Sequence, residues 1–165
     1  MSIIQRVISG GQTGADQGGV RAARACGIPT GGWAPRGWLT EFGPAPWLSE
    51  WGLTECLDGE TEAEIYRARR RRCVADCSTA LVFGDITSPG SRGLIRDCRA
   101  LGKRWVHVEA GLSTPRMVSR FLIEARVSVL MIAGNRESRD PGIGARVERF
   151  LCVVFKSLDA ECQER

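Results

Sequence analysis

Apolar positions along the chain gather into short, β-branched runs separated by longer amphipathic stretches, an alternation that predicts repeated strand and helix units. The first run, Ile3-Ile4-Gln5-Arg6-Val7-Ile8-Ser9, ends in paired glycines and predicts a buried strand entering a tight turn. From Asp16 to Cys26 the apolar spacing becomes helical, and Gly27 is placed to end that helix as its C′ residue. Gly18 and Gly19 weaken helix propensity, so close approach of another backbone or of a ligand is expected there.

Residues 28–57 are rich in glycine, proline and tryptophan and predict an irregular stretch with short extended pieces near residues 28–33 and 53–56. So long an irregular segment in a compact domain usually carries function. Thr61-Glu62-Ala63-Glu64 has capping-box spacing and opens a helix running to about Cys77. Beyond it the pattern predicts a strand at Ala80–Phe83, a loop from Asp85 to Gly93, a helix from Leu94 to Leu101 and a strand at Trp105–Val108. Thr114-Pro115 starts the next helix with a cap and a proline at the first position, Val127 to Ala133 is a strand, and Asp140-Pro141 starts the last helix by the same device.

Strands alternating with helices imply an α/β, Rossmann-like, doubly wound and mainly parallel sheet of about five strands, with helices on both faces. Ligands of such sheets sit at the carboxyl ends of the strands, where strand order reverses. The length of 165 residues fits a single domain spanning 1–165.

Composition narrows the picture little. Hydrophobic residues at 43% and charged residues at 25% belong to an ordinary folded protein, and no apolar run reaches the ~18 residues a membrane span needs. Seven scattered cysteines and no signal-peptide pattern at residues 1–6 predict a reducing, cytoplasmic setting. No CxxC pair occurs and His107 is the single histidine, so no metal site is expected. Cys73 and Cys77 are spaced to face one side of their helix and to pack on the sheet. Much of the net charge of +4 comes from Arg69-Arg70-Arg71-Arg72, whose side chains leave a helix in all directions, a pattern against nucleic acid. One of the four must face the sheet near Tyr66.

Candidate chemistry lies at the strand ends. Gly10-Gly11-Gln12-Thr13-Gly14 joins the first strand to the first helix, where backbone N–H groups and the helix N-terminus can hold a phosphate. No lysine follows Gly14, which argues against a nucleotide-hydrolysing P-loop. Asp16 either favours the helix dipole or reads a ligand hydroxyl. Gly90-Ser91-Arg92-Gly93 repeats the design at the next helix start, with Arg92 either contacting phosphate or simply exposed. Asp97 follows on that helix. Ala133-Gly134-Asn135-Arg136-Glu137-Ser138 follows the last strand at the same rim, its polar side chains forming a third ligand-facing loop or Arg136 and Glu137 a surface pair. Trp33 or Trp38 offers a stacking wall.

Three separated motifs, Ile8 to Asp16, Gly31 to Gly37 with Glu41 and Gly43, and Ala133 to Ser138 with Pro141-Gly142-Ile143, resemble the molybdenum carrier family. That molybdenum cofactor carrier-like family belongs to a Rossmann-like superfamily that includes the cytokinin-activating (LOG-like) phosphoribohydrolases. The resemblance spans nearly the whole chain and selects Arg69 from the run of four. It departs at Ser91, Leu94 and Asp97, where the superfamily motif has glycine, threonine and glutamate, and at Cys73, where the carriers have asparagine. It implies a homo-oligomeric binder of a molybdenum cofactor (molybdopterin) or another phosphate-bearing ligand. A second implication is a nucleoside monophosphate N-glycosidase in which Arg69 and Asp97 act on the ribosyl group, and a third is a nucleotide-sensing module.

Overall fold

The computed structural model describes residues 3–163, with side chains described as far as residue 160; Cys162 lies outside the described side chains. The elements follow in the order β1 (Arg6–Ser9), α1 (Ala15–Ala25), β2 (Thr30–Ala34), β3 (Leu39–Thr40), β4 (Gly43–Pro44), β5 (Leu53–Glu55) and α2 (Glu62–Asp76). There follow β6 (Thr79–Phe83), α3 (Pro89–Ala100), β7 (Arg104–Val108), α4 (Pro115–Glu124), β8 (Val129–Gly134) and α5 (Ile143–Gln163).

Six strands form one parallel sheet in the order β5-β2-β1-β8-β6-β7, and β3 and β4 form a separate antiparallel ribbon. The sheet has one strand more than the pattern of about five because both short extended pieces of the glycine-rich segment pair at its edge, Gly32 opposite Leu53 and Ala34 opposite Glu55. Their apolar signal is weak for a reason. At Gly31 a Cβ would fall 2.1 Å from the Arg6 guanidinium, so the position is kept bare for a neighbouring side chain.

Successive residues of the central strands face opposite sides. Val7, Leu81 and Ile132 join a core under α1, α4 and α5, completed by Leu122, Leu151 and Phe155. Ile8, Val82 and Met131 join a second core under α2 and α3, completed by Val74, Leu94 and Cys98. Burial on both faces makes such strands read as continuous apolar runs. Cys73 and Cys77 are both buried in the second core, as their spacing predicts.

Helix starts follow local chemistry. Thr61 accepts from the Glu64 N–H while Glu64 accepts from the Thr61 N–H, a complete capping box. Ser88 caps α3 through the Ser91 N–H, which draws Pro89 to Gly93 into the helix rather than leaving them in a loop before Leu94. Thr114 caps α4 as expected. The last helix departs from the Asp140-Pro141 expectation: Gly142 turns at φ 86° and α5 begins only at Ile143.

Gly18 and Gly19 serve packing, not a ligand. A Cβ at Gly18 would lie 2.3 Å from the Gly144 carbonyl oxygen, and one at Gly19 would strike Ile132. Gly18→Ala gains about 1 kcal/mol of helix propensity but forces α1 from α5, for an expected net loss of about 1–3 kcal/mol in chemical unfolding; unchanged stability would show that the two helices part easily.

Candidate functional site

Four consecutive arginines leave α2 at intervals of about 100° and part in different directions, Arg70 and Arg71 both toward Asp97. Arg69 crosses above Gly10 and places Nη1 3.4 Å from Asp16 Oδ2. Arg70 turns to α3, with Nε 2.6 Å from Asp97 Oδ2. Arg71 is largely exposed, 4.0 Å from the other Asp97 oxygen. Arg72 pairs with Asp58 at 2.6 Å and covers the Trp33 ring. Two glycines from the candidate loops owe their absent side chains to this arrangement. A Cβ at Gly10 would fall 1.5 Å from Arg69 Nη1, and one at Gly93 would fall 2.7 Å from Arg70 Nη1.

Arg69 forms one wall of a cleft of about 120 Å³ at the carboxyl rim of the sheet, on the α2/α3 side. Gln12, Asp16, Gly90, Ser91 and Arg136 line it too, so three segments far apart in sequence converge as their strand-end positions predict. Tyr66 orders the two cations, its ring lying 5.9 Å from the Arg69 guanidinium carbon and 5.2 Å from that of Arg136. The first turn of α3 contributes the positive end of a helix dipole.

Two residues of this cleft each carry a buried donor without a partner among the described residues, Gln12 at Nε2 and Arg69 at Nε. The Gln12 carboxamide is fixed by its oxygen, which accepts from the Thr13 and Glu41 N–H groups, so its amino group has no freedom to seek a partner elsewhere. Buried donors left unpaired cost about 1–3 kcal/mol each. Asp16 is the one carboxylate lining the cleft. Burial lifts it to about 6, against the opposing pull of Arg69 and of the Gln12 and Gly10 N–H groups.

Glu41, at the tip of the β3–β4 ribbon, clips the surrounding loops together. Its carboxylate accepts from the Thr13 hydroxyl and from both the N–H and hydroxyl of Ser138. Burial raises its pKa, but the Ser138 and Thr13 hydrogen bonds outweigh that and hold it below the usual glutamate range. Thr13 in turn accepts from the Glu137 N–H. Gly14, at φ 79°, is bare because a Cβ there would meet the Asn135 carbonyl oxygen at 2.4 Å.

Other expected site residues stand elsewhere. Trp33 lies under α2, its indole N–H donating to Asp76 at 2.7 Å, and does not line the cleft. Arg92 is exposed outside it. Glu137 is no surface partner of Arg136; it accepts from the Gly142 and Gly144 N–H groups and so caps the start of α5. Gly11 packs against Leu48 and Leu53. Asp97 is held between Arg70 and Arg71 and is absent from the cleft wall. Glu41 was not among the expected site residues; Asn135, on the expected third loop, accepts from the Asp85 N–H and joins the β6 and β8 loops. A larger cavity of about 530 Å³ lies on the α5 side, floored by Phe83, Val108 and Phe150, and contains none of the expected site residues.

One family model matches residues 7–155, from β1 into α5. The chain belongs to the circularly permutated YpsA SLOG family. Its strand order suits a permuted chain, since the first and last strands of the sheet, β1 and β8, are hydrogen-bonded neighbours. A crystal structure described as "Putative molybdenum carrier protein" from Syntrophus aciditrophicus SB is similar, at 28% identity over 93% of this chain and 96% of that one, with a TM-score of 0.79. No curated protein matches. Among the described residues of this SLOG-family chain, no helix is long and apolar enough to cross a membrane.

Two outcomes test this geometry. Because Asp16 rises from the ordinary carboxylate value to about 6 on folding, the native SLOG domain binds a proton the unfolded chain has released. Stability from this group is full at low pH and lost as pH climbs from about 4 to about 6. The melting temperature of Asp16→Asn minus that of the parent should therefore increase across that window and level off above it; a constant difference would mean that Asp16 titrates normally. Asp97→Asn removes the charge partner of the largely enclosed Arg70 side chain while keeping an acceptor, for an expected loss of about 1–3 kcal/mol in denaturant unfolding, and a loss near zero would remove Asp97 from its structural role.

Proposed function

We propose that this chain is a carrier-type binding protein that holds the phosphate end of a small molecule, a molybdopterin-type cofactor or a nucleotide, between Gln12, Arg69, Arg136 and the first turn of α3. The observation that carries this reading is that two residues lining one cleft, Gln12 and Arg69, each carry a buried donor with no partner among the described residues, at Nε2 and Nε. An anion there supplies the acceptors that the fold omits, and two arginines with a helix N-terminus favour its charge. The name of the similar Syntrophus protein supports the cofactor class.

The donor set suits the phosphate group of molybdopterin. At about 120 Å³ the cleft holds little more than that group, so the remainder of the ligand extends past Tyr66 and Arg136 toward solvent. Asp97 is engaged by Arg70, away from the cleft, which leaves the glycosidase reading without its carboxylate.

Sulfate is a suitable first probe because its charge is constant from pH 5 to 8. It should raise the melting temperature saturably, more strongly below about pH 6, where Asp16 is protonated and no longer repels the anion. Arg69→Met should weaken sulfate binding about tenfold or more, the worth of a charged hydrogen bond. Gly90→Ala should also weaken it while preserving the fold, since a Cβ at Gly90 meets nothing within 4 Å. Calorimetry with sulfate, a pterin phosphate and nucleoside monophosphates ranks the ligands. Equal sulfate affinity in the parent and Arg69→Met would overturn the assignment.

A further inference from the structure

The helices α1 and α5 run side by side in the same direction, and their contacts climb one seam together. At the first step Gly18 packs on Gly144, where a Cβ would stand 2.3 Å from a backbone oxygen. One turn on, Arg21 Nε meets Glu148 Oε2 at 2.7 Å. At the next step lie Cys26, which caps the end of α1, and Cys152 on α5. Both are free and only partly buried, packed at the border of the core under these helices. The register of the seam brings the two side chains to one level, and Cys152 is close enough to act on the Cys26 thiol.

This pair differs from the other thiols. Cys73, Cys77 and Cys98 are enclosed in the opposite core at 0%, 1% and 0% exposure, out of reach of a soluble reagent. Cys56 is also buried. Among the described cysteines, only Cys26 and Cys152 combine access to solvent with a thiol neighbour.

We propose that Cys26 and Cys152 form a modification site, a surface dithiol that closes to a disulfide by exchange with a low-molecular-weight disulfide such as oxidised glutathione. One cysteine thiolate attacks a glutathione sulfur, the S–S bond of the reagent breaks, and the first glutathione leaves as a thiolate that takes up a proton. The second cysteine gives up its proton and attacks the protein-bound sulfur of the mixed disulfide, releasing the second glutathione. Two protein thiols are oxidised and one glutathione disulfide is reduced to two thiols.

The surroundings set the pace of the exchange. Burial and the adjacent Cys152 raise the Cys26 pKa, which slows attack, while the Lys156 ammonium acts in the opposite sense and Asp159 reinforces the rise. The bond ties residues distant in sequence, where a cross-link restricts the unfolded chain most.

The full chain, incubated under native conditions with oxidised glutathione and digested without reduction, should lose two free thiols and yield one peptide pair joined through Cys26 and Cys152. Its melting temperature should rise by several degrees and return with dithiothreitol. Cys152→Ser should stop at the mixed disulfide, carrying one glutathione on Cys26. The proposal is overturned by a bond between any other pair or between two chains, by glutathione remaining on both Cys26 and Cys152 of the parent, or by both thiols staying unreacted.

Discussion

The site depends on one buried contact, the guanidinium of Arg69 lying across the bare backbone of Gly10 to reach Asp16. It needs a glycine beneath it, a carboxylate ahead of it and an aromatic ring beside it, and these come from the β1–α1 turn and from α2. Through it α2 is fixed against the first turn of α1. The same contact places two charges in a poorly solvated place, where a carboxylate is destabilised unless it is paired and hydrogen-bonded. Burial raises the Asp16 pKa, and the pairing with Arg69 offsets only part of that rise.

Around that contact the loops are held by short polar clips rather than by apolar packing. Glu41 joins the ribbon to the glycine turn and to the segment after β8, and Asn135 joins the latter to the end of β6. Glu137 fastens the same segment to the start of α5. A rim assembled this way is specific in geometry because each acceptor serves donors from different segments. Gln12 Nε2 and Arg69 Nε stand out against this background of satisfied groups.

Much of the architecture was legible in the chain because helix and strand periods, the capping box at Thr61 and the β-branched runs are local signals. The number of strands was less so: β2 contains two glycines whose places are dictated by Arg6 and by the Ser9 carbonyl, partners outside any local window. The convergence of Gln12, Arg69, Ser91 and Arg136 followed from topology, since all lie at carboxyl strand ends or on helices beside them. The individual duties of the glycines did not. Gly93 and Gly18 look like ligand-facing positions in sequence, yet one is bare for Arg70 and the other for α5. Asp97 was misplaced for the same reason, as its partner Arg70 lies on another helix. Glu41 stood in one of the motifs of the resemblance, but nothing local gave it a role, because that role is defined only by three loops meeting.

The place of β8 has a consequence for synthesis. Strands β5, β2 and β1 form one part of the sheet and β6 and β7 the other, and β8 alone hydrogen-bonds to both. A nascent chain lacking its final segment therefore holds two incomplete sheets with open inner edges, surfaces prone to wrong pairing. The long sequence separation of the β1–β8 contact delays closure further. Arg136 emerges directly behind β8, so the continuous sheet and one wall of the cleft both depend on the docking of that single strand.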